Sequence, residues 1–165
     1  MKNEKLWSLK IPIKNSPKDK EIEKFFKICK KKLGLVPNII KTNTIDKKKF
    51  DTFNTFYNRL MQDDNYITKI EKEMIAVVVS STNRCLYCCV SHGYTLGKLI
   101  DRIAKAKNIL INYEVAQISR KHKFMLDFAV KLTQASHKIN EDDRNKLRRI
   151  KSVSYTHLRA HETLL

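Results

Sequence analysis

Thr68-Lys69-Ile70-Glu71 opens the segment that most restricts what this chain can become. A Thr hydroxyl and a Glu carboxylate three residues apart can satisfy each other's orphan amides at a helix start, the capping-box pattern. The helix it begins, ITKIEKEMIAVVVSS, carries Ile70, Met74, Ile75, Val77, Val78 and Val79 around most of its circumference. A helix apolar on nearly every side belongs at the centre of a bundle, with other helices around it. Glu73 falls inside that apolar surface, so the same segment buries a carboxylate that needs a partner.

The rest of the chain supplies the surrounding helices. With only three Gly and three Pro among 165 residues, and 42% apolar residues, the composition favours long helices over turn-rich sheet. The expected fold class is all-α, a single-domain helical bundle. Ser16-Pro17 reads as an N-cap followed by Pro at the first helical position, and Ile22, Phe25, Phe26, Cys29 and Leu33 follow at helical spacing before Gly34. Cys29 is thereby placed on a buried face, as a small core residue. Leu35-Val36-Pro37-Asn38 starts a short helix, and Asp46 caps another with the stripe Phe50, Phe53, Tyr57, Leu60 and Met61. A second central helix runs from about Cys85 to Leu99. Ser119 caps a helix bearing Met125, Leu126, Phe128, Ala129 and Leu132, and Asn140 with Glu141, Asp142 and Asp143 starts a last one.

The formal net charge of +17 raises nucleic-acid or acidic-membrane binding as a possibility. The basic residues are mostly Lys, however, and are spread over polar helix faces along the whole length. The runs Lys30-Lys31-Lys32 and Lys47-Lys48-Lys49 have no interleaved aromatics, so solvated faces are favoured over nucleic-acid contact. No apolar segment has the length of a membrane span, and the N-terminus has no uninterrupted apolar stretch, so a cytoplasmic protein without membrane attachment is expected.

RCLYCCVSHG, residues 84–93, holds three of the four cysteines. On a helix Cys85 and Cys88 are i,i+3 neighbours, and Cys88 and His92 are i,i+4 neighbours, so an imidazole lies beside a pair of thiols. A thiolate there is favoured by the helix N-terminus and by an imidazolium. One thiolate attacking a peroxide forms a sulfenic acid, which the second Cys condenses with to give a disulfide. Structural zinc requires a second ligand pair that the chain lacks, and covalent haem requires His directly after the second Cys, where Cys89 stands. No metal and no cofactor are expected. Cys89 lies off the shared face and reads as a small core side chain, although its i,i+4 relation to Cys85 leaves it open as an alternative disulfide partner.

The stretch EKEMIAVVVSSTNRCLYCCVSHG resembles the alkylhydroperoxidase D-like, or carboxymuconolactone decarboxylase-like, superfamily, and within it the peroxidase-related branch. The pattern is a Glu twelve residues before a Cys-x-x-Cys whose second Cys precedes a His by four, met by Glu73, Cys85, Cys88 and His92. LGLVPNIIK and LDFAVKLT resemble the same branch. The resemblance implies a helical bundle of the alkylhydroperoxidase D-like type, assembly into homo-oligomers such as trimers or hexamers, and thiol-dependent reduction of hydroperoxides. It implies Cys88 as the peroxidatic thiol, Cys85 as the resolving thiol, His92 with Glu73 as a proton relay, and a dithiol or thioredoxin-like reductant as partner. Tyr87 departs from the best-studied reductases, which carry a second His between the cysteines. A non-catalytic or redox-sensing oligomeric module that retains the dithiol is the alternative reading.

The segment from Ser152 to Thr163, SVSYTHLRAHET, resembles translated sequencing adapter, with Leu164 and Leu165 from the variable index. The expected organisation is an N-terminal extension over 1–15, an incomplete alkylhydroperoxidase-like helical domain over 16–151 with truncation at its C-terminus, and a non-native tail over 152–165.

Overall fold

A computed structural model describes residues 19–44, 46–62 and 67–149, and every described element is helical. The chain divides into two compact units, residues 1–60 and 61–165. The adapter-like tail and the Ser16-Pro17 pair lie outside the described residues.

The first unit contains α1 (Lys20–Leu33), α2 (Asn38–Asn43) and most of α3 (Lys47–Gln62). The cap of α1 is Asp19 rather than Ser16, because its carboxylate accepts from the amides of Glu21 and Ile22. Gly34 ends α1 with φ 75°, a left-handed conformation that glycine adopts without Cβ strain. Ile22, Cys29, Val36, Ile40 and Phe50 form the core, and Phe25 meets Phe50 edge-to-face at 5.4 Å between ring centroids. Asp46 accepts from the Lys49 amide at the start of α3, as its position anticipates. Lys47, from the first basic position of α3, pairs with Glu21 at 2.8 Å and Asp51 at 2.6 Å.

The second unit is built around α4 (Lys69–Thr82), which packs against α5 (Leu86–Leu99), α6 (Ile103–Asn112) and α7 (Arg120–Ala135). A 3₁₀ turn, Ser136–Lys138, leads to α8 (Glu141–Arg149), which lies against α7. Every residue from Glu71 to Ser80 is buried, the outcome required of a helix apolar all round. Both halves of the capping box form: the Thr68 hydroxyl accepts from the Glu71 amide at 3.2 Å, and Glu71 accepts from the Thr68 amide at 2.9 Å. Ser119 caps α7, and Asn140 and Asp143 cap α8 reciprocally. The additional helix is α6. Ile103, Ala106 and Ile109 have its spacing, but the side chain of Arg102 at its N-cap makes no capping hydrogen bond, so the usual start signal is missing.

Glu71 does more than close its cap. Its other oxygen accepts from Lys121 Nζ of α7 at 2.7 Å and lies 3.5 Å from His122 Nε2, tying the start of α4 to the start of α7. Burial pushes this carboxyl up, but the Lys121 ammonium and the Thr68 amide and hydroxyl outweigh burial and hold it below the ordinary glutamate value.

The two turns that flank α5 share one geometry. Arg84 N–H bonds Ser81 O and Cys85 N–H bonds Ser80 O, while Asp101 N–H bonds Lys98 O and Arg102 N–H bonds Gly97 O. These are Schellman closures, and the residue at the left-handed position is Arg84 (φ 55°) in the first and Asp101 (φ 50°) in the second. Asp tolerates this region better than Arg does.

Two outcomes follow from these contacts. A carboxyl lowered in the folded state contributes stability that is present above its unfolded value and lost as pH falls through the folded value. Glu71→Gln should therefore unfold at lower urea concentration at neutral pH, with a flatter loss of stability on acidification than the parent chain. Arg84→Gly relieves a left-handed cost of about 1–2 kcal/mol against a glycine entropy cost of about 0.5–1 kcal/mol. Its urea midpoint should rise, with a gain in stability of up to about 1.5 kcal/mol.

Candidate active site

The turn at Arg84 delivers the chain from the buried end of α4 directly into α5. Cys85 is the N-cap of α5 rather than a residue of the helix, with φ −83° and ψ 93°. Its sulfur accepts from the Cys88 amide at 3.4 Å, the place a Ser or Asp side chain occupies in an ordinary cap. Cys85 and Cys88 are joined as a disulfide with their Cα atoms 5.4 Å apart. The extended backbone at Cys85 brings its sulfur over the first turn, toward Cys88. Both residues are partly exposed, so the pair lies at the protein surface and within reach of small molecules.

His92, one turn further along α5 from Cys88, reaches Glu73 of α4 at 2.7 Å through Nδ1. The Glu73 side chain is 7% exposed and that of His92 22% exposed, so this contact supplies the buried carboxylate of the central helix with its partner. A carboxylate can only accept, which makes Nδ1 the donor and leaves Nε2 as the second ring nitrogen for another proton. The four residues named from sequence thus fall into two directly bonded pairs: Cys85 with Cys88, and Glu73 with His92. Each pair has one member on the first two turns of α5, Cys88 in the first and His92 in the second.

The other cysteines differ. Cys29 is buried in the core of the first unit, where burial pushes its thiol up. Cys89 is a free thiol, half-buried, and burial pushes it up as well. Sequence reading assigned Glu71 only to its cap; its pairing with α7 had no short-range signal, because Lys121 lies 50 residues away. Shallow depressions on α3, lined by Lys48, Lys49, Thr52, Phe53 and Phe56 or by Asp51, Thr55 and Arg59, include none of the four residues. Among the described residues no three His, Cys, Asp or Glu side chains are grouped as a metal site, and no helix is long and apolar enough to cross a membrane.

Comparison with known proteins places the fold and the motif together. The model of the carboxymuconolactone decarboxylase family matches residues 49–105, a stretch that contains Glu73, Cys85, Cys88 and His92. The structure is similar to that of an uncharacterised peroxidase-related protein from Silicibacter sp. TM1040, with 36% identity, a TM-score of 0.87, and coverage of 99% of this chain and 88% of that one. It is also similar to an alkylhydroperoxidase AhpD core, an uncharacterised peroxidase-related protein from Ralstonia eutropha JMP134, at 31% identity and a TM-score of 0.76, with coverage of 93% and 87%. No curated protein matches the sequence. An all-α bundle of this similarity, with a bonded Cys-x-x-Cys pair at the start of α5, makes the chain a member of the alkylhydroperoxidase D-like, carboxymuconolactone decarboxylase-like superfamily.

Proposed function

We propose that the chain is a thiol-dependent peroxidase that reduces hydroperoxides through a Cys85–Cys88 dithiol/disulfide cycle. The single observation that carries this reading is a disulfide one helical turn from an imidazole that is held by a buried carboxylate of α4. In the reduced state Cys88 is the peroxidatic thiol. Its thiolate attacks the peroxide oxygen, the O–O bond breaks, an alcohol leaves, and Cys88 becomes a sulfenic acid. Cys85 then attacks the Cys88 sulfur, a disulfide forms and water is released. A dithiol or thioredoxin-like reductant returns both thiols by exchange.

His92 acts as the proton carrier in this scheme. With Nδ1 engaged by Glu73, Nε2 takes the proton of the attacking thiol and returns it to the departing alkoxide or hydroxide. Glu73 positions the ring and balances the imidazolium charge that this transfer creates. The position of Cys88 in the first turn of α5 favours its anion through the helix dipole. Assembly into a homo-oligomer, a trimer or hexamer, and a cytoplasmic location complete the proposal, since the reducing cytoplasm supplies dithiol reductants.

The roles separate by experiment. Cys88→Ser should abolish consumption of an organic hydroperoxide in the presence of a dithiol, and Cys85→Ser should leave a sulfenic acid that a dimedone probe captures. Capture of equal amounts from both variants would argue against the assignment of the two thiols. His92→Ala and Glu73→Gln should each slow turnover by roughly a hundredfold, the lower end of the range for proton-transfer help. Their rate–pH profiles should lose the limb that the imidazole supplies; profiles identical to that of the parent would leave the relay without a role.

A further inference from the structure

Three cysteines crowd the start of α5, and the peroxidase cycle uses two of them. The third, Cys89, donates its amide to the Cys85 carbonyl at 2.9 Å, the bond that closes the first helical turn. Cys85 therefore has Cys88 three residues ahead and Cys89 four residues ahead, across the first turn that its own carbonyl closes. Residues so related have Cα atoms about 6 Å apart, within the span of about 4.4–6.8 Å that a disulfide bridges. His92 is likewise one turn beyond both thiols, at i+4 from Cys88 and i+3 from Cys89. Cys89 is half-buried and free, beside an existing disulfide.

We propose that Cys89 is a third redox thiol, which exchanges into the disulfide to form Cys85–Cys89 and to release Cys88. The proposal deepens the peroxidase reading and rests on it for the identity of the redox pair. In the step, the Cys89 thiol gives its proton to His92, its sulfur attacks the Cys85 sulfur, the Cys85–Cys88 bond breaks, and Cys88 leaves as a thiolate. One disulfide is exchanged for another, so no oxidant or reductant is consumed. The direction follows from the environments. The anion is left at Cys88, nearer the N-terminal end of α5 than Cys89, and thiol–disulfide exchange proceeds toward the better-stabilised leaving thiolate. Burial disfavours the Cys89 anion, which leaves that sulfur better accommodated in a disulfide than as a free thiolate. The consequence is that the peroxidatic thiol is freed before any external reductant arrives.

Two measurements decide it, and neither uses a hydroperoxide, so the absence of peroxidase turnover and the absence of exchange give different results. In the first, the reduced full chain is oxidised with one equivalent of diamide, incubated between about pH 6 and about pH 9 across the ordinary thiol range, quenched in acid, alkylated and fragmented. The alkyl label should migrate from Cys89 to Cys88, more slowly as the pH is lowered, since the thiolate is the attacking form. In the second, Cys88→Ser in a Cys29→Ala background is treated with diamide and should lose both remaining thiols to one intramolecular disulfide. A label that stays on Cys89 at every pH, or a folded variant that keeps two titratable thiols, would overturn the proposal. Should the variant not fold, the labelling of the unaltered chain decides alone.

Discussion

Burial of α4 on every side is the constraint from which the rest of the second unit follows. Glu71 and Glu73 are carried into the interior with it, and neither can remain there without a partner because an unpaired buried charge costs several kcal/mol, on the order of 3–5 when a partner is removed. Two residues apart on a helix, they face different neighbours. Glu71 meets Lys121 and His122 of α7, and Glu73 meets His92 of α5. Apolar packing alone specifies that helices cover α4, whereas these polar contacts specify which residues of α5 and α7 lie opposite which turn of it. The pair formed by Glu71 ties α4 to α7; the pair formed by Glu73 ties α4 to α5 one turn beyond Cys88.

The other half of the site depends on how the chain leaves α4. A Schellman turn with Arg84 in the left-handed region redirects the backbone within three residues and makes Cys85 the cap of the next helix. The cap position is what gives the Cys85 sulfur its approach to Cys88: an extended residue ahead of the first turn can lay its side chain over that turn. Strain at Arg84 thus sits immediately beside the Cys85–Cys88 disulfide, in a chain that has glycine available at the equivalent position after α1. The same first turn is closed by the bond from the Cys89 amide to the Cys85 carbonyl.

Helix existence and type were readable from local pattern because apolar spacing and caps are short-range signals. Thr68, Asp46, Ser119 and Asn140 each cap the helix that their neighbourhood suggests. Where two polar residues competed for a start, pattern alone was insufficient: Asp19, two residues beyond Pro17, is the acceptor for the first amides of α1. The α6 helix lacks a local start signal for a related reason, since Arg102 offers no capping acceptor and packing against α4 and α5 stabilises the segment.

Sequence by itself determined the helical class, the buried central helix, and the membership of Glu73, Cys85, Cys88 and His92 in one motif, because all of these rest on residue type and spacing within a short stretch of chain. Tertiary structure alone decided which oxygen of which carboxylate meets which nitrogen. The Glu73–His92 bond spans 19 residues and the Glu71–Lys121 bond 50, and both form only after α5 and α7 have packed on α4. It also decided that Cys85 stands outside its helix as a cap, a distinction that depends on one φ/ψ pair set by the α4–α5 turn and not by the spacing of the cysteines. A side chain's partner across a bundle is fixed by helix packing and by the cost of leaving a buried charge alone, neither of which is written in local periodicity.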